Sequence, residues 1–196
     1  MKKINYLPFK HYAINQLGKD YFVSDIHGHY TLLRQELTQV SFNEQTDRLF
    51  SVGDLIDRGP ESQACIALLN QPWFHSVLGN HELYFIESMH NKSLRHHYIH
   101  HEGCWLKELP KQALNTIGQW ANLMKAKQAI CAVIASEYGP IGLGHANFPE
   151  NISQYIKSTK TFDFEQIHQL TSSRTVFHQP INYQEVLGVV MGHNTI

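Results

Sequence analysis

The sequence predicts an α/β fold, and three passages of one kind carry that prediction. In each, a short apolar strand pattern runs into a polar, glycine-containing loop and then into a helical pattern. Tyr21-Phe22-Val23-Ser24 runs into Asp25-Ile26-His27-Gly28-His29. Arg48-Leu49-Phe50-Ser51-Val52 runs into Gly53-Asp54-Leu55-Ile56-Asp57-Arg58-Gly59-Pro60, and a strand from about Phe74 to Leu78 runs into Gly79-Asn80-His81-Glu82. Strands alternating with helices argue for a partly parallel sheet. Loops at the carboxyl ends of such strands gather on one edge. Asp25, His27, Asp54, Asp57, Arg58, Asn80 and His81 all stand there, so residues far apart in sequence are expected to converge.

The first helix is expected from Thr31, with Leu32, Leu33, Leu37 and Val40 at helical spacing. A second runs from about Glu61 to Asn70, with Pro60 near its first turn. Residues 83 to 129 read as mostly helical, with breaks near Gly103, Pro110 and Gly118. Ala129–Ile134 and Ile141–Leu143 read as strands joined by a turn around Tyr138-Gly139-Pro140, the second ending in Gly144-His145-Ala146-Asn147. Across 150–180 the pattern is faint: a helix around Phe164–Leu170, then a loop through Ser172, Ser173 and Arg174. Leu187-Gly188-Val189-Val190-Met191 has the length and β-branched content of a buried strand and delivers Gly192-His193-Asn194. No repeat, low-complexity tract or linker interrupts the chain, so residues 1–196 are expected to form a single domain.

Composition narrows the function classes. A hydrophobic share of 42% and a charged share of 17% are those of a globular protein rather than a disordered one. A net charge of −1 gives no broad basic surface, so neither nucleic acid nor an acidic membrane is an expected partner. Three widely spaced cysteines form no metal-type pair and fit reduced thiols in the cytoplasm. No apolar stretch has the shape of a secretory signal or approaches the roughly 20 residues that cross a bilayer. Nothing in the sequence specifies an oligomeric state.

The strand ends offer the carboxylates of Asp25 and Asp54, the imidazoles of His27, His145 and His193, and the amide of Asn80. Singly, each is weak: a lone histidine is more often a core or surface residue than a ligand. Together, hard oxygen and borderline nitrogen donors without cysteine suit Mn²⁺, Fe or Zn²⁺ better than Ca²⁺ alone. Six donors exceed one tetrahedral site, and a carboxylate can bridge two cations about 3.5–4 Å apart.

Ser24-Asp25-Ile26-His27-Gly28, Gly53-Asp54-Leu55-Ile56-Asp57-Arg58-Gly59 and Gly79-Asn80-His81-Glu82 resemble the three-part hallmark of the metallophosphoesterases. Within them, the chain is similar to the phosphoprotein phosphatase group of serine/threonine phosphatases, especially its small bacterial and phage members. The likeness runs from about residue 20 to 193 and is strongest over 21–82. It implies a calcineurin-like fold, a central β-sandwich flanked by helices, with the helical segment of about 83–129 near the active site. It also implies that relatives continue past the last metal histidine, so C-terminal strands of the second sheet are expected to be missing here.

The resemblance further implies two divalent cations, Mn²⁺ foremost. Asp25 and His27 would hold the first, Asp54 would bridge, and Asn80, His145 and His193 would hold the second. Arg58 would bind phosphate, with Arg174 a looser match to a second phosphate arginine. His81 would be the general acid, oriented by Asp57. Asn147 and Asn194 depart from the commoner forms of their motifs without removing a ligand.

The chemistry agrees with these roles. A phosphomonoester anion repels hydroxide, and two cations neutralise charge while making a nucleophile available near neutral pH. The resemblance to the small phosphatases thus implies hydrolysis of phosphoserine or phosphothreonine in proteins or peptides, by direct attack of a metal-bridging hydroxide. The competing expectations are a dinucleoside-polyphosphate hydrolase and a metal-binding homologue with reduced activity. His96-His97-Tyr98-Ile99-His100-His101 contains two i,i+4 histidine pairs able to chelate Zn²⁺, but reads first as a solvated helix covering the site.

Overall fold

The computed structural model describes residues 6–110, 113–158, 164–173, 183 and 185–193. In chain order the strands and α-helices are β1 (Leu7–Tyr12), β2 (Asp20–Val23), α1 (Tyr30–Gln39), β3 (Arg48–Ser51), α2 (Ser62–Ala67), β4 (Phe74–Ser76), α3 (Asn80–Ser88), α4 (Lys92–His101), α5 (Leu114–Lys127), β5 (Ala129–Ile134), β6 (Ile141–Leu143), α6 (Ile152–Ser158), α7 (Phe164–Ser172) and β7 (Gly188–Val190). Short 3₁₀ turns at Leu68–Asn70 and Cys104–Glu108 extend α2 and follow α4.

The strands form two sheets. One is parallel, in the order β2-β3-β4; the other runs β1-β5-β6-β7, with β5 and β6 antiparallel and the other pairs parallel. A parallel bridge from Val77 to Ala129 joins them just beyond β4, where Leu78 N–H donates to the Ala129 carbonyl at 2.8 Å. Period-two alternation sorts the side chains into layers. Phe50, Val52 and Val77 meet Ala132, Ile134 and Leu143 between the sheets, while Leu49 and Phe74 face the helices. Cys131 and Val133 point to the outer face of the second sheet, against Phe148 and Ile152. The result is the expected sandwich with helices on its flanks.

Several expectations need correction. Leu33 and Leu37 of α1 are buried, but Leu32 and Val40 are exposed, so the apolar stripe is narrower than its four residues suggested. No break occurs at Gly118, which lies inside α5; a Cβ there would meet nothing within 4 Å, so the helix passes through it unopposed. The closing strand is not buried: β7 ends the second sheet's hydrogen-bonded order, and Leu187 is 65% exposed. Two elements had no clear signal. Pro8, Lys10 and His11 disguise β1, which tolerates a proline because it sits at the end of its sheet. The faint stretch after residue 150 contains α6. Among the described residues no helix is long and apolar enough to cross a membrane.

Candidate active site

The loops after β2 and β3 are locked together by backbone hydrogen bonds, and the loop after β4 is joined to them through the Glu82 and Asp54 carboxylates. Ile26 and His27 N–H both donate to the Asp54 carbonyl, at 3.0 and 2.8 Å, and Gly28 N–H donates to Leu55 O at 2.8 Å. Gly59 N–H returns to His27 O at 2.9 Å. The loops after β6 and β7 are tied in the same manner, through Gly144 N–H to Val190 O and Gly192 N–H to His145 O. Gly53 takes φ +103°, and a Cβ on it would lie 2.6 Å from Gly79 N, so only glycine lets these two loops touch.

This scaffold brings together all six expected ligands. Among the described residues, two groups of donor atoms lie within 4.8 Å of one another: His27, Asp54 and His81, and Asp54, His145 and His193. Asp54 belongs to both, its Oδ2 lying 3.7 Å from His27 Nε2 and 3.3 Å from His145 Nε2. Asn80 Oδ1 lies 3.0 Å from His145 Nε2 and 2.8 Å from His193 Nδ1. Asp25 reaches both sides, with Oδ2 4.0 Å from His27 Nε2 and Oδ1 4.0 Å from His145 Nδ1. His193 N–H donates to both Asp25 oxygens, at 3.2 and 3.1 Å.

The ring nitrogens suit cations. His27 Nδ1 pairs with the Ile56 carbonyl at 3.0 Å, which makes it the protonated nitrogen and leaves a lone pair on Nε2. That Nε2 is buried and has no hydrogen-bond partner among the described residues, an arrangement costly unless a cation or a donor sits before it. His145 is set likewise by the Val52 carbonyl at 2.8 Å. Burial would raise the pKa of Asp54, but the imidazoles of His145 and His81 outweigh it and hold the carboxyl well below its usual range. Oxygen and nitrogen donors around an ionised carboxylate common to both groups fit divalent cations.

His81 stands beside the six. Its Nδ1 meets Asp57 Oδ2 at 2.8 Å, and its Nε2 lies 3.4 Å from the guanidinium of the exposed Arg58 and 3.9 Å from Asp54 Oδ2. The distances alone would admit His81 as a ligand, but a cation at Nε2 would confront Arg58. A proton there would also face Arg58, but it has the Asp54 carboxylate at 3.9 Å on its other side. Burial lowers the His81 pKa, yet the Asp57 hydrogen bond and the Asp54, Asp57 and Glu82 carboxylates overcome this and raise it above its ordinary value. Arg174 and Asn194 lie outside the described residues.

Three residues at the site escaped the sequence reading. Glu82, fully buried, accepts N–H bonds from Asp54 (2.9 Å), Leu55 (2.8 Å), Ile56 (3.3 Å) and Gly79 (3.0 Å). Tyr98 Oη and Trp105 Nε1 each donate to Asp57 Oδ1 at 2.7 Å. The available signal was a polar-tipped aromatic on the inward face of a helix whose outward face is histidine. Those histidines stack as exposed pairs, 96 on 100 and 97 on 101, with ring centroids 4.2 and 4.3 Å apart. No third donor gathers with either pair among the described residues.

Comparison with known proteins adds the following. Residues 21–195 match the family described as calcineurin-like phosphoesterase. Serine/threonine-protein phosphatase 2 of Salmonella typhimurium is 34% identical over 135 residues, 69% of this chain and 61% of that protein. The symmetrical bis(5'-nucleosyl)-tetraphosphatase of Shewanella frigidimarina is 43% identical over 79 residues, 39% of this chain and 29% of that protein. The match thus spans less than two thirds of either relative. The crystal structure of a cold-active protein-tyrosine phosphatase from a psychrophilic Shewanella superposes with a TM-score of 0.58 at 18% identity, covering 96% of this chain and 69% of that one, a likeness of fold alone.

Proposed function

The chain belongs to the calcineurin-like phosphoesterase family, and from that premise we propose that it is a metal-dependent phosphomonoester hydrolase acting on phosphoserine or phosphothreonine in proteins or peptides. One observation carries the reading: donors from five loops on two sheets converge on Asp54, with Arg58 and the His81–Asp57 pair alongside. We assign Asp25 and His27 to one divalent cation, Asn80, His145 and His193 to a second, and Asp54 to both. Mn²⁺ is favoured by the oxygen donors, with Fe and Zn²⁺ as alternatives. When bound, such a pair supplies charge neutralisation and a water of lowered pKa.

The remaining work falls to the chain's own groups. Arg58 presents a planar fork able to hold two phosphoryl oxygens at once, which a lysine cannot do. A serine alkoxide is a poor leaving group, so proton donation from His81 Nε2 assists its departure. Asp57 keeps Nδ1 hydrogen-bonded and the ring turned. Phosphorus passes directly to water, and no phosphoenzyme accumulates. The three cysteines are free thiols, which suits a cytoplasmic setting.

A dinucleoside-polyphosphate hydrolase is the second reading, favoured by the 43% identity over 79 residues to the Shewanella frigidimarina tetraphosphatase. The phosphatase relative matches a larger share of the chain, which supports the first. Phosphate release by the Mn²⁺-loaded protein from a phosphoserine peptide and from diadenosine tetraphosphate separates them. The peptide is expected to be the better substrate in kcat/KM. Preference for the dinucleotide would establish the second reading, and inertness on both would leave a metal-binding homologue.

A further inference from the structure

We propose that Tyr98 and Trp105 are positioning residues that fix the Asp57 carboxylate in the orientation that aims His81 at the leaving group. The inference rests on the reading of His81 as proton donor and deepens it, making α4 and the turn after it part of the proton-delivery apparatus.

Asp57 is completely buried, and a carboxylate offers about four lone-pair directions that must be satisfied there. Oδ2 accepts His81 Nδ1–H at 2.8 Å. Oδ1 accepts Trp105 Nε1–H and Tyr98 O–H, both at 2.7 Å, and the Tyr98 hydroxyl also lies 2.9 Å from Oδ2. Rotating the carboxylate away from His81 would therefore break its bonds to both rings. Both donors are uncharged. An arginine or lysine in their place would pair off the carboxylate charge and weaken its hold on the imidazole. The phenol and indole instead satisfy the anion and leave its charge to act on His81. Tyr98 also keeps its proton, because burial and the neighbouring Asp57 push its pKa well above the usual value.

The surroundings hold the two rings rather than Asp57 alone. Tyr98 meets Phe85 edge-on with centroids 6.0 Å apart, and Trp105 stacks on the same Phe85 at 6.3 Å and 16°. Trp120 lies 5.7 Å from Trp105. A Cβ on Gly103 would fall 2.4 Å from the Tyr98 ring, and Gly103 N–H donates to the Tyr98 carbonyl at 2.8 Å. The turn that carries Trp105 is thus wrapped closely around the tyrosine. Aromatic side chains with few rotatable bonds suit this task, since little freedom is lost in holding them.

The test compares leaving groups in the full chain loaded with Mn²⁺. Tyr98→Phe and Trp105→Phe each remove one donor and keep an aromatic ring. p-Nitrophenol departs with little help from an acid, whereas the alkoxide of a phosphoserine peptide needs a proton. Each variant is expected to lose on the order of tenfold in kcat/KM on the peptide, the scale of one hydrogen bond to a charged group. On p-nitrophenyl phosphate the loss should stay below about threefold. A structural role alone would lower both substrates equally, and that result, or no loss on either, would overturn the inference. Wild-type protein inert on both substrates would overturn the hydrolase reading and this inference with it. Trp105 is only partly buried, so Trp105→Phe carries the comparison should Tyr98→Phe not fold.

Discussion

Five non-glycine site residues sit at positive φ: His27 (44°), Asp54 (50°), Asp57 (70°), Arg58 (65°) and His193 (69°). Each such residue costs about 1–3 kcal/mol and persists only where its surroundings over-determine it. Glu82 is a main reason that the Asp54 loop holds, since its carboxylate gathers the N–H groups of Asp54, Leu55, Ile56 and Gly79. Burial and the Asp54 charge raise its pKa, so these four N–H groups also offset the cost of an acid placed there. Glu82→Gln keeps the shape but turns one acceptor into a donor facing N–H groups. It is expected to cost about 2–4 kcal/mol in urea unfolding, with weaker metal retention. A change below about 0.5 kcal/mol would remove Glu82 from this role. The candidate ligands were legible because aspartate and histidine in strand-end loops announce themselves by type. Glu82 and Tyr98 were not: Glu82 shows locally only as the helix-start partner of Gly79, while its other partners lie 26–28 residues away and that of Tyr98 lies 41 away.

Elements were legible where period and length agreed, as at β3 and β5, whose alternating side chains face different cores. They were obscure where an element depends on its neighbour: β1 forms because β5 offers a parallel partner over Leu7–Tyr12, despite Pro8. β4 illustrates a further consequence of packing. Its His75 lies against Tyr12 and Phe50, with centroids 4.6 and 5.1 Å away. Burial, then Lys10 and Arg48, lower its pKa from 6.5 to about 4. The unfolded chain therefore binds a proton between about pH 6.5 and 4 that the fold refuses. Stability from this residue is fully present above pH 6.5 and falls as pH drops through that window, by at most about 3 kcal/mol. His75→Phe should flatten that part of the urea-unfolding profile between pH 7.5 and 4.5. An unchanged slope would show that His75 titrates normally in the fold.

At the scale of the molecule, the candidate centre lies where two sheets meet. Asp25, Asp54 and Asn80 follow strands of the β2-β3-β4 sheet, whereas His145 and His193 follow β6 and β7 of the other. The repeated passages indicated that these ends would gather on a partly parallel sheet, while the second sheet was expected only from the family resemblance. That two sheets share the task depends on the Val77–Ala129 bridge, a long-range pairing without local signature. Cations held here would join the sheets at one edge and neutralise the Asp25 and Asp54 carboxylates. Binding to the folded state alone at 100 times the dissociation constant adds about 2.7 kcal/mol per site. For a chain of this size that raises Tm by roughly 5 to 10 °C. Mn²⁺ is thus expected to raise the melting temperature and EDTA to reverse it. Asp54→Asn, which alters the shared ligand, should abolish most of the increment, and His193→Ala should remove the part due to the second cation. His193 is the discriminating position, because its main chain also bonds Asp25. Alanine preserves that N–H and deletes only the imidazole, so a metal increment undiminished in His193→Ala would take the residue out of the ligand set.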